Sequence, residues 1–330
     1  MCTHRQAADS LHRYGVVLVR DPDVREEDNA AFIDMMERYY EQSDGVTDAR
    51  PELSYQVGVT PGGVEVPRDH CDAVTAMPAS ARPATVCPPE ADPKWRFFWR
   101  VGKRPSVTQF PELNAEPVMP DPKQFPDWSH KMDRWGGMVL TSLTSVAEML
   151  AVGLKLPADA FSSRMKSGPH LLAPTGSDLA KHGQLGTVLA GYHTDLNFLT
   201  IHGKSRFPGL HIWLRDGRKC SVAVPNGALL VQAGKQLEHL TAGHIMAGFH
   251  EVCVTEATLK AIEQRKAAGG STWRVSSTCF GHIASDQTLE PLERFQNEPL
   301  AASYPPIKAG EQVQEELRAI SLRAPALSSE

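Results

Sequence analysis

Leu210-His211-Ile212-Trp213-Leu214, a turn holding Asp216-Gly217, and then Val222-Ala223-Val224 make the stretch on which the fold turns. Two short apolar runs joined through Asp-Gly are a strong hairpin signal, because that dipeptide accepts the positive φ angles of a tight turn. Pro225-Asn226-Gly227 turns again into Ala228 to Gln232, and Gly234 breaks that run. Upstream, Phe198 to His202 is extended. Downstream, His250 to Val254 and Arg274 to Phe280 supply two more strands. Many short strands separated by turns, with few helices among them, predict a jelly-roll or barrel core.

The first half of the chain differs. Gly15 to Val19 predicts a buried opening strand, and Asp23 with Glu26 suits a helix cap ahead of Phe32, Met35, Met36, Tyr39 and Tyr40, which share one helical face as core. Trp128, Met132, Trp135, Val139, Leu143, Val146 and Leu150 recur at three- and four-residue steps, which predicts a long amphipathic helix starting at Asp127. Between them, residues 50–125 are broken by Pro, Gly and charge. Within that region the run Lys94 to Arg104 is dense in aromatics and cations. It reads as a packed aromatic segment with cations reaching solvent, or as a clamp for a substrate carboxylate through Arg96 or Arg100. A helix over Thr255 to Ala268 interrupts the β half.

These features give a mainly β fold with helical support. One domain spans 1–330: a mostly helical part over 1–160, a jelly-roll core over 165–295, and a flexible tail over 315–330. A net charge of −5 supplies no electrostatic reason to expect nucleic acid or an anionic membrane as partner. No run approaches a membrane span, and no apolar leader follows Met1. Cys2, Cys71, Cys87, Cys220, Cys253 and Cys279 contain no C-x-x-C pair and read as reduced, mostly buried thiols of a cytoplasmic protein.

The chemistry begins at Gly191-Tyr192-His193-Thr194-Asp195. A His and an Asp two apart share one face of an extended segment. They supply two ligands of a facial triad, which holds Fe(II) on one side and leaves the other open. A third ligand should come from a later strand, with His239, His244 and His250 as candidates. His250 stands at the head of a strand-like run, whereas the other two occupy loop or turn positions. Arg274 and Ser276 share a strand face, where a guanidinium and a hydroxyl can receive a carboxylate.

In this order, His193-Thr194-Asp195, His250 and Arg274-Val275-Ser276 resemble the Fe(II)/2-oxoglutarate-dependent oxygenases of the isopenicillin N synthase-like branch. Phe207-Pro208-Gly209-Leu210-His211-Ile212, Val224 to Gly234 and Leu240-Thr241-Ala242-Gly243 resemble further segments of that family. The resemblance covers residues 185–285 well and the first 160 only in outline. It implies a double-stranded β-helix, iron on His193, Asp195 and His250, and 2-oxoglutarate as co-substrate with its distal carboxylate on Arg274 and Ser276. It further implies oxidation of a small molecule by O2, through hydroxylation, desaturation or cyclisation, with release of succinate and CO2. Asp195, standing where a Gly or Ala would open a halide position, disfavours halogenation.

Two other readings stay open: an iron oxidase of the same fold that uses no 2-oxoglutarate, and a non-catalytic binding protein. Candidate substrate contacts are Asn197, Phe198, His211 and Gln232. The chain departs from the family in three places. His250 and Arg274 stand 24 positions apart, further than is usual; Glu251 follows His250 where Arg is common; and Pro169 to Pro174 lacks the family's co-substrate tyrosine, for which Tyr192 or His170 could substitute.

Overall fold

The computed structural model describes residues 3–322. The chain opens with α1 (His4–Tyr14), β1 (Val16–Val19), α2 (Glu26–Gln42), β2 (Gly58–Thr60), α3 (Cys71–Ala76), β3 (Trp95–Arg100) and α4 (Trp128–Gly153). There follow α5 (Ser162–Met165), β4 (Leu171–Leu172), β5 (Thr175–Asp178), α6 (Leu179–His182), β6 (Val188–His193), β7 (Leu199–His202), β8 (Leu210–Trp213), β9 (Lys219–Ser221) and β10 (Leu229–Ala233). The last part holds α7 (Lys235–Leu240), β11 (His250–Cys253), α8 (Glu256–Ala267), β12 (Trp273–Ser276), β13 (Cys279–Gly281), β14 (Thr288–Leu289), β15 (Ile307–Lys308) and α9 (Ala309–Ala319).

Two antiparallel sheets make the core. The larger runs β1-β10-β7-β13-β4-β3-β5-β12 with β2 beside β3, and the smaller runs β6-β11-β8-β9. Side chains from β7, β10 and β12 of the first line the same cavity as side chains from β6, β8 and β11 of the second, so the sheets face each other. This is the expected double-stranded β-helix.

On the other face of the large sheet lies α4, whose stripe from Trp128 to Leu150 is buried at every position expected from the sequence. By length and composition α4 could cross a membrane, contrary to the expectation that no run comes near a span. Its apolar stripe is instead spent on the protein core, where truncating a side chain such as Leu143 to Ala costs about 2–5 kcal/mol.

Local chemistry explains where the sequence reading misplaced elements. Thr3 and Gln6 form a reciprocal capping box that starts α1, which was not foreseen. Gly15, at φ 70°, ends it in the left-handed region and turns the chain into β1. The opening strand is buried only at Val17, since β1 is an edge and Leu18 faces out. The cap of α2 falls at Arg25 and Asp28, not Asp23, because the Asp21 side chain draws the Asp23 N–H into a turn. The hairpin partner of β8 is Lys219–Ser221 rather than Val222–Val224, and the expected strand over Arg274–Phe280 is two strands, β12 and β13.

The N-terminal part is more β than expected. It contributes β1, β2 and β3 to the large sheet, and β3 lies in its interior between β4 and β5. The tail expectation fails over 315–322: α9 continues to Ala319, and Leu317 and Leu322 are buried; residues 323–330 lie outside the described residues. Cys71 and Cys87 form a disulfide rather than two reduced thiols, Cys220 is half-buried, and Cys253 and Cys279 are buried; Cys2 is outside the described residues.

Candidate metal and co-substrate site

The C-terminal residue of β6 and the first residue of β11 are His193 and His250, and the antiparallel register sets them directly opposite each other. Their ring centroids are 4.2 Å apart. Nδ1 of His193 lies 2.6 Å from the Gly191 carbonyl, and Nδ1 of His250 lies 3.3 Å from the Gly248 carbonyl. An Nδ1–H donated to a carbonyl leaves the Nε2 lone pair free for a metal. Burial, and after it the neighbouring His250, hold the His193 pKa well below the usual imidazole value, which keeps that lone pair available.

Asp195 completes the group by a route the spacing did not foresee. The strand ends at His193, so Asp195 sits in the following loop rather than one strand repeat further on. Its carbonyl accepts from the Lys235 N–H, and its Oδ2 accepts from Thr200 Oγ1 at 2.6 Å. Oδ1 then faces the two imidazoles, 3.9 Å from His193 Nε2 and 3.8 Å from His250 Nε2.

Ligand atoms that each stand about 2.0–2.2 Å from one cation can be up to about 4.4 Å apart, so these separations admit a shared metal. Two imidazoles and a carboxylate suit a divalent transition metal such as Fe(II). Among the described residues this is the one such cluster of His, Cys, Asp or Glu donors. The other candidate histidines are occupied elsewhere. His239 bonds the Pro305 carbonyl, while His244 stacks on His12 and pairs with Glu298.

Beyond the triad a cavity runs between the sheets to Arg274 and Ser276. Arg274 is buried, and its guanidinium makes no hydrogen bond or ion pair among the described residues; its Nε is fully enclosed. Burial alone lowers its pKa to about 10. An unpaired buried cation is expensive, and a carboxylate is its natural complement. Ser276 Oγ lies 2.9 Å from Thr278 Oγ1, adding hydroxyls to the same wall. Gln232 presents a second orphan, an enclosed Nε2 with no partner, to this cavity.

Neither suggested tyrosine substitute reaches the cavity. Tyr192 stacks on Phe249, and His170 is fixed between the Met165 carbonyl and the His282 N–H. Thr175 and Ser177 of β5, which follow the Pro169 to Pro174 segment, line the cavity and pair in register with Ser276 and Arg274.

A second cavity opens on the other side of His193 and Asp195. The four substrate candidates divide here. Asn197 lines this cavity, but its amide donates to the Leu199 and Gly281 carbonyls and is spent on the loop. Phe198 is in the core against Phe161. His211 lines neither cavity and bonds the Gly209 carbonyl. Gln232 lines the first cavity, with Arg274 and Ser276.

Most of the charged residues of the second cavity come from the broken region 50–125, and Asp195, Lys235 and Glu316 add to them. Lys94, just ahead of β3, and Arg96 and Phe98 within it stand at alternate positions and line the cavity together. The cations do not reach solvent as expected. Lys94 pairs with Glu65 and Asp92, and Arg96 pairs with Glu65 and lies over Phe98. Arg100, the other clamp candidate, is bound to the Val101 carbonyl and Asn114, away from the site. Asp92 also accepts the Gly191 N–H at 2.9 Å; a Cβ on Gly191 would stand 2.6 Å from Pro67, so only glycine lets this loop close on the metal strand.

Two of the departures from the family pattern now have structural reasons. Glu251 points away from the cavity, fully buried, and accepts from the Ala84 and Thr85 N–H groups and from Thr85 Oγ1, fastening the 84–85 segment over the small sheet. Helix α8 accounts for the long step from His250 to Arg274. It packs Ile262 against Leu179, Leu189 and Phe207 and lines neither cavity.

The sequence profile of the 2OG-Fe(II) oxygenase superfamily matches residues 172–283, the span that carries the triad, Arg274 and Ser276. Residues 172–283 thus carry a 2OG-Fe(II) oxygenase domain. Among curated proteins it is 28% identical over 192 residues to mugineic-acid 3-dioxygenase of Hordeum vulgare, an alignment covering 56% of this chain and about half (52%) of that relative. A full-length Neurospora crassa protein, solved with alpha-KG, superposes with a TM-score of 0.73 at 15% identity, over 96% of this chain and 90% of the other. The Arabidopsis thaliana dioxygenase for auxin oxidation 1, solved with 2-oxoglutarate, gives 0.58 at 16% identity, over 90% and 94%. At these identities the structural matches speak for the fold.

Proposed function

We propose that the protein is an Fe(II)- and 2-oxoglutarate-dependent oxygenase acting on a small organic molecule. The observation that carries this reading is the buried, unpaired Arg274 at the far end of a cavity that begins at the His193–Asp195–His250 triad. A dianion with one carboxylate on Arg274 and Ser276 and its 2-oxo acid end at the triad satisfies both ends of that cavity. The three relatives, two of them solved with this co-substrate, support the same choice.

In the hydroxylation form of the reaction, R–H, O2 and 2-oxoglutarate give R–OH, succinate and CO2. Bound iron supplies the coordination site and the redox chemistry for O2 activation. The chain does the rest. The carbonyls of Gly191 and Gly248 orient the two imidazoles, and Thr200 fixes the carboxylate of Asp195.

The test is anaerobic reconstitution with Fe(II), followed by O2 and assay of succinate from 2-oxoglutarate. Iron-dependent succinate formation that is lost in His250→Ala is expected. Oxygen uptake without succinate would move the reading to an oxidase, and retention of neither iron nor 2-oxoglutarate would move it to a binding protein.

A further inference from the structure

The second cavity carries a charge asymmetry that names a substrate class. Once a metal takes Asp195, its ionic lining holds four cations, Arg68, Lys94, Arg96 and Lys235, against three carboxylates, Glu65, Asp92 and Glu316. Deep in the cavity Lys94 and Arg96 are matched by Glu65 and Asp92. The surplus lies at the rim. There Arg68 Nη1 and Lys235 Nζ converge on one oxygen, Oε1 of Glu316, at 2.9 and 2.7 Å.

Lys235 is tied to the metal site by its backbone, whose N–H donates to the Asp195 carbonyl. Glu316 comes from α9, which is moored to the same loop by Gln312 Nε2 donating to the Leu196 carbonyl at 3.1 Å. Beside this charged rim, Leu317 and Ile320 form an apolar wall. A monoanionic head and an apolar body therefore have complementary places within one cavity that ends at the triad.

From this geometry we infer that the substrate is a small monocarboxylic acid, its carboxylate held by Arg68 and Lys235 and its apolar body laid along the α9 wall. This rests on the oxygenase reading for its chemistry but not for its binding site. The Glu316 carboxylate is the internal counterpart of the substrate's head group. It shares the same two cations, and because Arg68 and Lys235 are partly exposed, at 46% and 26% of their side-chain surface, the exchange of one carboxylate for another loses little. A single surplus charge matches a monoanion better than a phosphate monoester dianion. His70, which also lines this cavity, has its pKa lowered by burial and then by Lys235 and Arg68, so it adds no further positive charge near neutral pH.

The experiment is calorimetric titration of full-length protein, loaded with Mn(II) and 2-oxoglutarate, with phenylacetate against phenylacetamide and hexanoate against hexanamide. The acid of at least one pair is expected to bind about tenfold tighter than its amide. Arg68→Gln and Lys235→Gln should each remove most of that preference without weakening the amide, and Glu316→Gln, lacking the internal competitor's charge, should strengthen the acid. Equal binding or no binding by both pairs, a preference that survives in the Arg68→Gln/Lys235→Gln double variant, or tighter binding of phenyl phosphate than of phenylacetate would overturn the inference. Titration of 2-oxoglutarate itself into the Mn(II) protein tests the oxygenase reading separately. If that fails, the acid–amide comparison on metal-free protein still judges the rim.

Discussion

Thr200 and Asp195 are joined by a 2.6 Å hydrogen bond in which the hydroxyl of β7 in the large sheet fixes the carboxylate that faces two histidines of the small sheet. That bond occupies Oδ2 and aims Oδ1 at the imidazoles. Replacing Thr200 with Val keeps the shape and removes the donor. Metal affinity should fall about 10–100-fold with little change in thermal stability, read by competition with a chelator. Unchanged affinity would mean that the loop backbone alone orients Asp195.

Arg274 links co-substrate binding to stability with opposite signs. Its buried guanidinium has no counter-ion among the described residues, so Arg274→Met should make the ligand-free protein more stable, by about 1–4 kcal/mol, while abolishing the carboxylate's partner. The same variant should lose about 100-fold or more in 2-oxoglutarate affinity. Thermal melts with and without 2-oxoglutarate test both halves, and a less stable apo variant would contradict the assignment.

Glu251 should be as important to stability as the metal ligands are to chemistry. Glu251→Ala strands the Ala84 and Thr85 N–H groups, with an expected loss of about 2–4 kcal/mol in denaturant unfolding. Glu251→Gln, which keeps an acceptor, should lose less. Equal losses would place the effect in charge rather than in hydrogen bonding.

Acid should destabilise the protein through its buried imidazoles. Burial lowers the pKa of His170 and of His282 to about 3, against an unfolded value near 6.5. His170 Nδ1 accepts the His282 N–H, so protonation there breaks a buried bond. With the folded values depressed, their contribution is present above about pH 6.5 and is lost as pH falls from there toward 3. Each such group steepens the loss by up to about 1.4 kcal/mol per pH unit. His170→Asn, which retains an acceptor but cannot titrate, should flatten the decline between pH 6 and 4 in urea melts.

Much of the site was legible because its chemistry is local in sequence. His250 heads a strand, and Arg274 and Ser276 share a face by strand alternation. Asp195 was found by spacing for a reason that did not hold, since it lies past the strand and depends on Thr200 and Lys235, contacts no local pattern encodes. Lys94, Arg96 and Phe98 did alternate with period two. The signal was masked because a β3 residue buried between β4 and β5 needs no polar outer face, and cations there look like surface residues until Glu65 and Asp92 meet them. Glu316 and Lys235 were beyond reach for the same reason. They are joined across 81 positions, and nothing in either segment announces the other. The disulfide between Cys71 and Cys87 was missed because scattered cysteines carry no pairing information without a fold.

The place of β3 bears on how this chain can be divided. A fragment cut to residues 172–283 would contain all three candidate metal ligands together with Arg274 and Ser276, yet it would lack the strand that separates β4 from β5. Its large sheet would fall into two pieces, with Arg274 on the piece detached from β7 and β10. The buried face of Glu251 would meet solvent, and the long helix under the sheet would be gone. The region by which kinship is recognised and the region that must fold as one body are therefore different lengths of the same polypeptide. Any excised catalytic fragment would have to start ahead of Ala84 to keep the segment on Glu251, β3 and the long helix.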